Sequence, residues 1–234
     1  MNTTDLRTRR TQRATLAALT CFGLLLGVSN AAAADEAADL EHARIRRGFE
    51  IAPVPLNLKG KDRALVGLGS YLVNAASSCN MCHSAGTSTE YAAGGNPYFK
   101  NQSVPVVNQA TYLGGGRTFA AQVAGATPAI VSRNLTPDKS GRPVGGRTWA
   151  EFLYIIRTGA DLDHVHPNCA DPTIASSSTC FPVKYSYDGD LLQVMPWPSV
   201  RNLTDHELRA IYEYLSTVPC VAGPATGVLH NDCT

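Results

Sequence analysis

The chain has 234 residues, 20 Lys and Arg against 19 Asp and Glu, a formal charge of +1, and 44% hydrophobic side chains. Such a near-neutral chain lacks the basic footprint of a nucleic-acid binder, and it is long enough to bury a core of its own.

At the N-terminus, Arg7, Arg9, Arg10 and Arg13 precede an apolar run from Ala14 to Val28, and small residues follow at Ala31 to Ala34. The pattern predicts a secretory signal peptide over residues 1–34, cleaved near Ala33 or Ala34, and so a periplasmic protein. The apolar run is short for a bilayer span, which places an uncleaved anchor second. Cys21 lacks the small residue that precedes a lipidated cysteine, and Arg9-Arg10 invites a twin-arginine reading, but the general secretory route is favoured. Loss of residues 1–34 removes four arginines and Asp5, leaving 16 basic and 18 acidic side chains and a formal charge of −2.

Residues 35–61 read as an N-terminal extension: Asp35 to Phe49 is a short helix or a tail, and Ile51-Ala52-Pro53-Val54-Pro55-Leu56 is extended chain on or around the domain. From Asp62 the spacing of Leu65, Leu68 and Leu72, with Tyr71 beside them, predicts a helix with one buried face. Gly67 and Gly69 weaken it unless they admit a close neighbour.

That helix runs into Cys79-Asn80-Met81-Cys82-His83, a Cys-x-x-Cys-His run that reads as a c-type haem attachment site. Cys79 and Cys82 would hold the haem as thioethers, and His83 would be the proximal iron ligand. With seven Cys and six His in 234 residues, chance supplies such a run with an expectation of about 0.005. A zinc site would need a second ligand pair, and no other Cys-x-x-Cys exists in the chain. A thioredoxin-like redox pair would follow a strand, not a helix.

The stretch from Ser84 to Gly146 is rich in Gly, Pro, Asn and Thr and is expected to be mostly ordered loop. Gly114-Gly115-Gly116-Arg117 has no following Lys-Ser/Thr, so turn geometry explains it better than a phosphate cradle. A second helix is predicted from Thr148, capped with Glu151, carrying Phe152, Ile155 and Ile156 and ending at Gly159. A third begins at Thr204 with Glu207 and buries Leu208, Ile211, Tyr212 and Leu215 before Pro219. Sustained alternation is absent, so the fold class expected is all-α, a few helices and long ordered loops around a cofactor.

A sixth iron ligand is sought among the methionines. Met1 leaves with the signal peptide and Met81 lies in the attachment loop, which leaves Met195, in Gln193-Val194-Met195-Pro196-Trp197-Pro198, as the distal candidate. His164 and His166 are its rivals for a bis-histidine site. Asp161 and Asp163 hint at calcium, but the glycine and glutamate of an EF-hand loop are missing, and no metal other than iron is expected. His42, His206 and His230 read as surface residues. Cys169, Cys180, Cys220 and Cys233 suggest two disulfides, with three possible pairings of which the local ones are simplest.

These motifs, over roughly Gly67 to Leu215, resemble the class I c-type cytochromes, most closely the monohaem domains of cytochrome subunits of bacterial alcohol and gluconate dehydrogenases. The similarity is carried by Gly69-Ser70-Tyr71-Leu72 before the Cys-x-x-Cys-His run, Gly115-Gly116-Arg117, Asn134-Leu135-Thr136-Pro137-Asp138, Thr148-Trp149 with Phe152, and Arg157-Thr158-Gly159. It closes with Met195-Pro196-Trp197 and Leu203-Thr204-Asp205 through Leu215. The resemblance implies a cytochrome c-like domain over 62–219, first and last helices crossing near Gly67, Tyr71 and Tyr212, residues 134–137 lining the haem edge, and Met195 as distal ligand. Residues 220–234 would be a disulfide-tethered tail. The chain has one haem motif where such subunits often have three, and its segment from Asp161 to Leu192 is expanded. The expected function is a periplasmic electron carrier, not an enzyme, with one covalent haem c, passing single electrons between redox partner proteins such as a dehydrogenase and an oxidase, and meeting membranes only through them. The alternatives are a peroxidase-like haem enzyme with an open sixth site and a haem-bearing accessory subunit of a dehydrogenase complex.

Overall fold

A computed structural model describes residues 33–102, 104–120, 129–163, 188–223 and 229–234. Residues 1–32 of the predicted signal peptide, and His164, His166, Cys169 and Cys180, lie outside the described residues. The chain divides into two units, Met1–Ala43 and Arg44–Thr234. Of the first, residues 33–43 are described and are helical.

The described residues are mostly helical. Helix α1 spans 33–51, so the Asp35–Phe49 segment is a helix and longer than its sequence signals marked. Then follow α2 (Arg63–Tyr71), a π-helical turn (Leu72–Ala76), α3 (Cys79–His83), α4 (Pro143–Gly146), α5 (Trp149–Thr158), α6 (Trp197–Val200) and α7 (Asp205–Leu215). Thr118–Phe119 (β1) and Ile130–Val131 (β2) form an antiparallel pair that sequence reading did not foresee, since two-residue strands carry no alternation to detect.

Each long helix starts where its side chains dictate. The carboxylate of Asp62 accepts from the main-chain N–H groups of Ala64 and Leu65 to start α2. Thr148 with Glu151, and Thr204 with Glu207, close the two predicted capping boxes. Gly159 ends α5 with φ +78°, a conformation that glycine adopts without strain.

The core forms where α2 crosses α7. A Cβ on Gly69 would lie 1.9 Å from the carbonyl oxygen of Ala210, and one on Gly67 would lie 2.7 Å from that of Ile45. Both glycines therefore admit close neighbours, but different ones. Gly69 makes the crossing with α7, whereas Gly67 faces α1, which corrects the implied crossing near Gly67. Because backbone closes on two sides, α2 buries Val66 through Ser70 rather than one face. Tyr71 is only partly buried beside this crossing.

Around it Leu68, Leu72, Val73, Leu208, Ile211 and Leu215 are buried, each contributing about 1.5–3 kcal/mol of apolar burial. The Trp149, Phe152 and Tyr212 rings cluster at 5.5–6.0 Å and fasten α5 to α7. Two buried tyrosines complete the layer. Tyr112 Oη donates to Asn74 Oδ1 at 2.5 Å, Tyr112 and Tyr214 share a hydrogen bond of 2.8 Å, and Asn74 Nδ2 donates to Tyr214 Oη. Burial pushes both phenols up, so they stay protonated donors. The π-turn that carries Asn74 is thus pinned immediately ahead of the Cys-x-x-Cys-His run.

The extended segment after α1 wraps the domain: Val54 is buried and Asn57 N–H donates to the carbonyl of Thr217. Cys220 and Cys233 sit at disulfide distance, 5.8 Å between Cα atoms, in agreement with the simplest pairing for these two. Among the described residues, no helix is long and apolar enough to cross a membrane.

Candidate cofactor cleft

Cys79, Cys82 and His83 lie on the short helix α3, entered through Ser78 at φ +49°. They open onto a cleft that Met195 also lines. The four residues singled out in the sequence are therefore brought together, although Met195 comes from a different part of the chain. The walls are predominantly apolar, with Phe119, Ile130, Val131, Leu192 and Val200 among them. A neighbouring lobe shares Cys79, His83 and Met195 and adds Leu135, Phe152 and Ile155.

His83 is set by main chain. Its Nδ1 lies 2.8 Å from the carbonyl oxygen of Arg133, and because a carbonyl only accepts, the proton sits on Nδ1 and the lone pair on Nε2. Burial in the cleft holds the imidazole below its ordinary range, which keeps it neutral and able to ligate. The His83 carbonyl accepts from Gly115 N–H at 2.7 Å. Gly115 has φ +72°, and a Cβ there would meet the Arg133 carbonyl at 2.5 Å. The triple-glycine run is therefore turn geometry, as its sequence implied, and its use is to seat Arg133 against the histidine.

Cys79 and Cys82 are not disulfide-bonded to each other. Burial, the largest influence, pushes the Cys79 thiol up to about 11. A redox-exchange cysteine needs the opposite shift, so the thioredoxin-like alternative gains no support here.

Met195 lies in an irregular run with Val194 at φ +69°, a conformation unfavourable for a β-branched residue. Met195 N–H donates to Gln193 O, its carbonyl accepts from Trp197 N–H, and Trp197 Nε1 donates to Leu192 O at 3.2 Å. The Trp197 ring lies over Gly159, where a Cβ would come within 2.2 Å of it. The glycine that ends α5 thus also makes room for the methionine segment.

Residues 134–137 line the cleft only in part. Leu135 does so, but Asn134 Nδ2 donates to the carbonyls of Val221 and Leu229, and Thr136 Oγ1 accepts from Val221 N–H and Asn231 Nδ2. The resemblance implied a haem-edge segment; its polar members instead fasten the C-terminal tail. Asp161 and Asp163, the faint calcium candidates, are engaged by Arg133, and Asp163 also by Arg147. Among the described residues no group of three or more His, Cys, Asp or Glu could hold a metal ion. His42, His206 and His230 are exposed.

Arg133 and Gly115 are the residues that sequence reading did not bring to the site. The only signal was their position, beside Asn134 and within the glycine run. No family model, no curated protein and no solved structure matches the chain.

Proposed function

We propose that this chain is a periplasmic monohaem c-type cytochrome that carries single electrons between a dehydrogenase or other donor and a respiratory acceptor. The observation that carries the reading is the convergence of Cys79, Cys82, His83 and Met195 on one apolar cleft. The donor set fits haem c: two unpaired thiols for covalent attachment, a neutral imidazole with its Nε2 lone pair free, and a thioether from a distant segment. When bound, the haem supplies a one-electron iron couple inside a low-dielectric pocket.

The protein's own residues do the rest. Cys79 and Cys82 tether, and Arg133 O keeps the Nδ1 proton in place so that the ring stays oriented and its basicity rises. Leu135, Ile155, Phe152 and Leu192 exclude water. Met81 and Val194, 48% and 37% exposed, form an apolar rim at the cleft mouth suited to small, transient contacts with redox partner proteins. With a haem bound, an imidazole and a thioether both supplied by the protein would favour transfer of electrons over chemistry on a substrate.

The test is the absorption spectrum of the purified haem-loaded protein, oxidised and reduced, beside Met195→Ala. A weak far-red sulfur-to-iron band in the oxidised wild type, lost in the variant, is the expected result. Absence of the band, with Met195→Ala spectrally silent and cyanide binding rapidly, would replace this reading with that of a haem enzyme having an open sixth site.

A further inference from the structure

We propose that Arg133 is a positioning residue that ties the two sides of the cleft together, its main chain setting His83 and its side chain setting the segment that carries Met195. The inference rests on the reading of the cleft as a His83/Met195 iron site.

The two attachments of Arg133 are chemically independent. Its carbonyl accepts the His83 Nδ1–H at 2.8 Å. It is held there just after β2, where Ser132 N–H donates to Arg117 O and Gly116 N–H donates to Ser132 O, and by the close approach of Gly115. Its guanidinium points the other way along the chain's connections. Nη2 donates to both oxygens of Asp161, at 3.0 and 2.8 Å, and Nε donates to Asp163 at 3.0 Å. The Asp161 side chain is only 4% exposed and that of Arg133 15%.

From Asp161 the connection to Met195 is continuous. Asp161 N–H donates to Asp190 O at 2.7 Å, Ala160 bridges Leu191, and Leu192 N–H donates to Gly159 O at 2.7 Å. Leu192 O then receives Trp197 Nε1, and Met195 lies between these two anchors. This short antiparallel stem is the seat of the methionine, and Arg133 clamps its base.

Only arginine can do this. The fork that spans Asp161 and Asp163 needs three donors in a plane, which lysine does not offer. Among the described residues Arg133 is the one cation that pairs with Asp161, while Arg147 pairs with Asp163 and Glu151. Without Arg133 the stem loses the three side-chain bonds that fix its base, so its main-chain pairing is free to open.

Hydrogen exchange and exogenous imidazole binding on the full, haem-loaded protein test the proposal with Arg133→Met, Arg133→Lys and Asp161→Asn. In Arg133→Met, exchange in the peptides containing Leu192 and Met195 should quicken by about tenfold or more, with α2 and α7 unchanged. Imidazole, which competes with the methionine sulfur, should bind about tenfold more tightly. Arg133→Lys should restore less than half of either effect on a logarithmic scale, and Asp161→Asn should reproduce the exchange pattern if Arg133→Met does not fold. Unchanged exchange in the Met195 peptide, or quickening spread evenly over α2 and α7, would overturn the proposal. So would full recovery in Arg133→Met/Asp161→Leu, since the effect would then be one of stranded charge and not of positioning. If the wild type shows no sulfur ligand at all, the haem reading fails, while exchange still decides whether Arg133 holds the Met195 stem.

Discussion

His83 follows a helix enclosed by neighbours on two sides, whereas Met195 sits between Val194 at φ +69° and Pro196, fixed by single hydrogen bonds and one aromatic ring. The helix that delivers the first is seated by packing, with glycine at the crossing, buried leucines and a tyrosine-asparagine network around the π-turn, and the Arg133 carbonyl sets the ring itself. The second is seated by main-chain geometry and an ion pair. Packing distributes a perturbation over a core and makes local change globally expensive, while a hydrogen-bonded loop opens on its own. A side chain delivered the first way is hard to displace without disturbing the core, and one delivered the second way can move with its loop.

Substitutions can break or sharpen that contrast. The largest effect belongs to Gly69→Val, which drives a side chain into the Ala210 carbonyl; chemical denaturation should show a loss of about 3 kcal/mol or more, or no folded protein. A variant that kept wild-type stability would show that the α2 and α7 crossing is not what seats the His83 side. Gly159→Ala acts on the other side, at φ +78° and against the Trp197 ring; about 1–2 kcal/mol of stability should go, accompanied by loss of the far-red sulfur band.

Val194→Gly should have the opposite sign. Relief of the left-handed backbone offsets the lost side chain, so stability should stay level or rise by up to about 1 kcal/mol, as urea midpoints would report. A clear loss would mean that the Val194 side chain at the rim matters more than its backbone.

The smallest effect is at the start of α5, where Thr148→Ala should cost about 1 kcal/mol at neutral pH. The Thr148 N–H and then its hydroxyl hold the Glu151 carboxyl below the ordinary range. A carboxyl lowered in the native state contributes stability above its unfolded value and loses it as pH falls through the lowered one. The Thr148→Ala deficit should therefore shrink on acidification, and a pH series of denaturation curves reads it directly.

Legibility in the sequence followed the same divide. The caps at Thr148 and Thr204, the glycine stop at 159, the buried faces of α5 and α7 and the Cys79, Cys82 and His83 run were readable, because each is encoded within a few neighbouring positions, whereas Met195 was reached by elimination among three methionines and by the resemblance. Gly67 and Gly69 were readable as tolerant of a neighbour, but not for which one, since a missing side chain names no partner. Arg133 was invisible: its carbonyl and its guanidinium reach residues 50 and 28 positions away, in opposite directions, and no local pattern announces either. The polar members of 134–137 were misassigned for the same reason, their partners lying up to 95 positions downstream.

That last feature bears on the order in which the molecule is completed. Asn134 and Thr136 wait for Val221, Leu229 and Asn231, and Asn74 waits for Tyr214, 140 positions later. A chain delivered from its N-terminus presents Cys79 and Cys82 long before the helix that finishes their surroundings has arrived. The two thiols are thus the early part of the nascent protein, and Ile211 and Leu215, which wall the lobe beside Cys79, arrive well after them.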